Sequence, residues 1–113
     1  MATMNGVEIG NVVKDALAAA KEVGVGDWAE MKSIVKNIAD SLLVDLKYIA
    51  KEKLNNNIDE YGAKIFLEDQ KMVARIRIRS LAIITLQTAE RVINAVIEVF
   101  RTAANKALGW DIF

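Results

Sequence analysis

The chain contains no cysteine, no histidine and no proline in its 113 residues. Without cysteine, disulfides, thiolate nucleophiles and sulfur-ligated metals drop out. Without histidine, the commonest general base and the commonest transition-metal ligand are missing. Ser-His-Asp and Cys-His catalysis within one chain are thereby excluded. The lack of proline favours long uninterrupted helices, because no ring blocks the helical hydrogen-bond ladder. An excess of charge of either sign is missing too. Fifteen Lys and Arg balance fifteen Asp and Glu, so no net field draws nucleic acid or an anionic membrane. No glycine-rich phosphate loop and no nucleophile motif occurs. These absences lead to the expectation of a non-enzyme with no cofactor and no nucleic-acid partner.

Residues 1–6 show no basic region leading into an apolar run, the pattern of a secretory signal. The most apolar stretch, residues 81–100, carries Gln87, Glu90, Arg91, Asn94 and Glu98, too polar for a membrane span of about 20 residues. The expectation is a cytoplasmic protein without a membrane span.

What is present is apolar. Hydrophobic residues make up 53% of the chain and mean hydropathy is +0.20. With zero net charge this composition favours self-association. The length fits a single domain, residues 1–113. Three segments carry helical spacing. In the first, residues 7–23, Ile9, Val12, Val13, Ala16, Leu17 and Ala20 recur on one face, Asn5 is the expected N-cap, and Gly24 and Gly26 end the segment. The second starts at Asp27, where Glu30 three residues on has capping-box spacing. Its stripe runs Met31, Ile34, Val35, Ile38, Leu42, Leu46 and Ile49. The run Asn55-Asn56-Asn57 then stops it, since asparagine tolerates left-handed backbone.

The third segment, residues 58–108, has one glycine and no clear stop. Read as one helix it is about 77 Å long, capped by Asn57 at its start and by Gly109 at its end. Ile58, Ile65, Met72, Leu86, Ile93, Phe100 and Ala107 share one heptad position, with Arg79 the exception. The passage Met72-Val73-Ala74-Arg75-Ile76-Arg77-Ile78-Arg79 alternates with period 2, as a half-buried strand does, but no partner strand is evident. The fold expectation is therefore all-α. It takes the form of a long antiparallel helical hairpin, with helix one either kinked in line or folded back as a third helix. Oligomerisation completes the helical bundle with coiled-coil-like spacing, because so long a rod cannot be covered by its own chain.

Two groups of candidate site residues follow. Across a turn at Asn56, Asp45 falls level with Glu68, and Arg75 and Arg79 follow on the same seam. These four form an expected buried polar layer that fixes register and partner orientation. The same carboxylates raise a second reading, a ferritin-like bundle with a carboxylate metal site. The arginines and the missing histidine weigh against it, so no metal is assigned. The oligomer interface is expected at Leu86, Ile93, Ile97 and Phe100, with Trp28, Trp110 and Phe113 as aromatic anchors. The leading function is a non-enzymatic, self-associating helical protein. It would serve as a scaffold, an adaptor or a subunit of a larger assembly, with itself or another helical protein as partner. A carrier of an apolar ligand held between helices is a third reading.

Overall fold

The computed structural model describes residues 3–4, 7–24, 28–80 and 85–110. The chain is an all-α helical bundle of four helices: α1 (Ile9–Glu22), α2 (Trp28–Leu54), α3 (Glu60–Arg79) and α4 (Leu86–Leu108). A two-residue antiparallel pair, Thr3–Met4 with Val7–Glu8, precedes α1. α1 packs most extensively on α4 and next on α2, while α3 lies between α2 and α4. The 43 Å long axis matches the roughly 40 Å of a 27-residue helix, so α2 spans the molecule.

Local chemistry sets each helix end. Gly24 takes φ +85°, a conformation that cannot continue a right-handed helix, so α1 becomes a separate helix lying against α2 and α4. The asparagine turn behaves as the side chain allows: Asn56 is left-handed at φ 57°. The cap of α3 is Asp59 rather than Asn57. Its carboxylate accepts a 2.7 Å hydrogen bond from the Gly62 N–H. Gly109, left-handed at φ 71°, closes α4 by donating its N–H to the Asn105 carbonyl. The expected caps Asn5 and Asp27 lie outside the described residues.

The segment expected as one 51-residue helix is two. α3 ends at Arg79. The Ser80 hydroxyl donates to the Arg77 carbonyl at 2.7 Å, and the Ser80 N–H closes the last turn on Ile76. α4 restarts with Thr85 as N-cap, its hydroxyl accepting from the Thr88 N–H at 3.1 Å. A serine that back-bonds its own turn and a threonine that caps the next supply the stop and start. Packing rewards the break, because α3 and α4 contact each other as well as α2. The alternating passage 72–79 is helical to its end.

The core lies along α4. Ala89, Val92, Ile93, Val96, Ile97, Phe100, Ala103, Ala104, Ala107 and Leu108 are all buried, three or four residues in every two turns and hence a wide apolar stripe. α2 contributes Met31, Val35, Ile38, Ala39, Leu42, Leu46 and Ile49. α1 offers the small row Val12, Ala16 and Ala20, which lets its backbone approach closely. No charged or polar residue is buried among the described residues.

Candidate interaction surface

α3 is apolar on two opposite sides. Its buried row is Ala63, Leu67, Ala74 and Ile78. A second row, Tyr61, Ile65, Met72 and Ile76, is exposed. Each member of the second row stands two positions before a member of the first. Two positions are about 200° of rotation on a helix, so the rows face opposite ways. Ile65, Met72 and Ile76 keep 48%, 58% and 64% of their surface in solvent. This also explains the strand-like alternation at residues 72–79. A period of 2 in a helix marks two apolar faces, one of which meets the core and one of which meets water.

The exposed row continues towards α2. Val73 and Val44 line opposite rims of a groove of about 310 Å³ between the two helices, with Ile38, Leu42, Asp45 and Arg77. Further along, Tyr48 and Phe66 pack ring against ring, centroids 5.3 Å apart. Tyr48 and Val44 are themselves largely exposed. The result is a set of exposed apolar side chains along α3 and the adjoining rim of α2, with Glu68 and Asp69 between Ile65 and Met72.

The four residues of the expected polar layer do not meet. Glu68 is exposed and pairs with Lys71 one turn on, at 2.8 Å. Arg75 and Arg79 turn to α4. Arg75 Nε donates to Glu90 Oε2 at 3.2 Å, and Arg79 Nη2 pairs with Glu90 Oε1, so one carboxylate joins α3 to α4. Asp45 is half-buried in the α2–α3 groove, opposite Val73, Ala74 and Arg77. Burial alone pushes its carboxyl above the ordinary 3.8, since desolvation disfavours the charged form. Arg77 crosses the same groove to the Ser41 hydroxyl at 3.3 Å. Helix rotation explains the difference. Tyr48 beside Phe66 fixes a register only about two residues beyond a turn centred on Asn56, so Asp45 stays nearly level with Glu68, but Asp45 faces the groove and Glu68 lies on the exposed side of α3. The break at Ser80 then brings Glu90 to the arginines. Glu90 carried one sequence signal, an acid inside the apolar stretch 81–100. Arg77 carried none.

Three of the four residues expected at an oligomer interface are buried within the chain. Ile93, Ile97 and Phe100 lie in the core of the single chain, 0%, 5% and 0% exposed. They are covered by the chain's own helices once residues 58–108 fold as two. Leu86 alone of the four faces solvent. Of the aromatic residues, Trp28 and Trp110 are partly buried against the core, and Phe113 lies outside the described residues. Lys53 at the end of α2 donates to the Leu108 carbonyl and sits 4.7 Å from the Trp110 ring centroid. It thereby ties the C-terminal ends of α2 and α4.

Among the described residues, no three acidic side chains gather closely enough to hold a metal ion, and no helix is long and apolar enough to cross a membrane. No family model matches the chain, and neither a curated protein nor a solved structure is significantly similar to it.

Proposed function

We propose that the protein is a non-enzymatic association module, a scaffold, adaptor or subunit of a larger assembly, which joins copies of itself through the outward face of α3 and the rim of α2. One observation carries this reading: α3 presents an exposed apolar row directly opposite its buried one. Scattered single hydrophobic residues on a surface need no explanation, but a row on one helix face does. A helix that is apolar on two sides is a helix that expects neighbours on two sides. The surface is aliphatic and aromatic at its centre, with charges along its edges, the arrangement of an association interface. The groove beside it opens to solvent along this row and serves as part of the same docking face.

The mass of the native particle tests this reading. Sedimentation equilibrium is expected to show a multiple of the 12.5 kDa chain at micromolar concentration. Replacing Ile76 with aspartate should return the particle to a folded monomer, because that side chain is solvent-exposed within one chain. A wild-type monomer up to millimolar concentration would refute the proposal.

A further inference from the structure

The charges of α3 and its N-cap are sorted along the helix. The first half carries Asp59, Glu60, Glu68 and Asp69 against one base, Lys64. The second half carries Lys71, Arg75, Arg77 and Arg79 and no acid. A helix dipole favours acids in the first turn and bases in the last. That accounts for Asp59, Glu60 and Arg79. It does not account for Glu68 and Asp69, which stand mid-helix, beyond the reach of the dipole, on the two edges of the exposed apolar row.

We infer that two copies pair across a two-fold axis near Met72, their α3 helices antiparallel, so that Glu68 and Asp69 of each lie against the basic second half of the other. This inference rests on the reading that copies of the chain join through α3. A two-fold interface must be self-complementary, since the same patch serves both sides. A parallel pair would stack acid on acid and base on base. The antiparallel pair opposes them, and Met72 meets its own counterpart at the axis. In that register Asp69 lies level with the partner's Arg75, Glu68 with the partner's Ile76, and Ile65 with the partner's Arg79. Lys71, Arg75 and Arg79 already serve Glu68 and Glu90 within the chain. A guanidinium has five N–H donors, so each arginine can take a second carboxylate. Glu68 keeps half of its side chain exposed, at 51%, and remains open to a partner. The edge charges set orientation and encounter rate, while the apolar row supplies the burial.

The absence of cysteine makes the geometry directly readable. In the antiparallel pair, Met72→Cys is expected to oxidise to a covalent dimer in high yield. Glu68→Cys and Ile76→Cys should each stay uncrosslinked alone and form a mixed disulfide when combined. Tyr61→Cys should not crosslink, because the two copies of that residue stand about 33 Å apart along the helices. Self-crosslinking of Tyr61→Cys together with Met72→Cys would mean parallel helices and overturn the inference. A particle that is dimeric by mass but gives no Met72→Cys disulfide would place the interface elsewhere, and the inference fails while self-association stands. A particle that is monomeric by mass removes both.

Charge inversion gives the second arm. Glu68→Lys with Asp69→Lys makes one variant basic from Lys64 to Arg79. Arg75→Glu with Arg79→Glu makes the other acidic, and Glu90→Arg in the same chain keeps its bridge to α4. Circular dichroism first verifies that both fold. Each variant alone is expected to dimerise at least tenfold more weakly than the wild type, and their equimolar mixture to recover a one-to-one dimer. Equal dimerisation of all three samples would show that these charges play no part and overturn the proposal.

Discussion

At the scale of single residues, the groove acid is the most informative. Asp45 sits half out of water, and the loss of hydration on burial raises its pKa above the ordinary 3.8 on folding. The folded state therefore binds more protons than the unfolded one between the two values. Stability falls as pH rises through that window, and the full penalty is present at neutral pH. Asp45→Asn should raise the melting temperature at pH 7, and the gain should shrink as pH falls towards about 4 and vanish below it. A gain independent of pH would assign the effect to packing instead. Gly109 gives a second test. Its left-handed φ of 71° disfavours any side chain, and open space surrounds its Cα, so only the backbone term acts. Gly109→Ala is expected to cost about 1 kcal/mol in urea denaturation. These residues also show where sequence reasoning reaches and where it stops. The left-handed Asn56 and the Gly109 cap are short-range consequences of side-chain chemistry, and both were legible. The partner of Arg75 was not, because Glu90 comes level with it only once the chain breaks after Arg79 and α4 folds back along α3.

At the scale of elements, the decisive event is the interruption between α3 and α4. The heptad stripe runs through it without a flaw except Arg79, so periodicity alone reads one rod. What breaks the rod is local competition for backbone hydrogen bonds by Ser80 and Thr85, a few kcal/mol at most, made worthwhile by folding α4 back into the core. Thr85→Ala removes the cap that starts α4. It should destabilise the bundle by about 1 kcal/mol, read as a lowered urea midpoint at unchanged slope. The same interruption divides one stripe into two fates. Ile93 and Phe100 are covered by the chain itself, whereas Ile65 and Met72 are not. Aspartate at Ile93 should therefore abolish folding, since an unpaired buried charge costs several kcal/mol. Aspartate at Ile76 should leave the helical circular dichroism signal intact and act only on particle mass. If both variants unfold, the outward face of α3 is part of the core after all. The all-α class and the first two helices were readable because burial in one dominant row imposes a helical period. What covers each face was not, because a period says that a face is covered and leaves open by what.

At the scale of the whole molecule, an association that binds folded chains and not unfolded ones stabilises by mass action. The melting temperature should therefore rise with protein concentration, and the rise should vanish in the Ile76→Asp variant. A concentration-independent melting temperature for the wild type would count against coupling of folding to assembly. The charge balance, zero overall, hides a strong local sorting along α3. Composition could not reveal that, and only the placement of the exposed row gives it meaning.

The pairing of α1 with α4 has a consequence in time. These are the first and last helices of the chain, yet they pack on each other more than on any neighbour in sequence. A chain emerging at roughly 5–20 residues per second completes α4 on the order of ten seconds after α1. Through that interval α1 has only part of its cover, and α2 lacks the helix that carries the largest share of the core. The core therefore cannot close until α4 is made and returns to α1, so the helix synthesised first waits longest for its main contact.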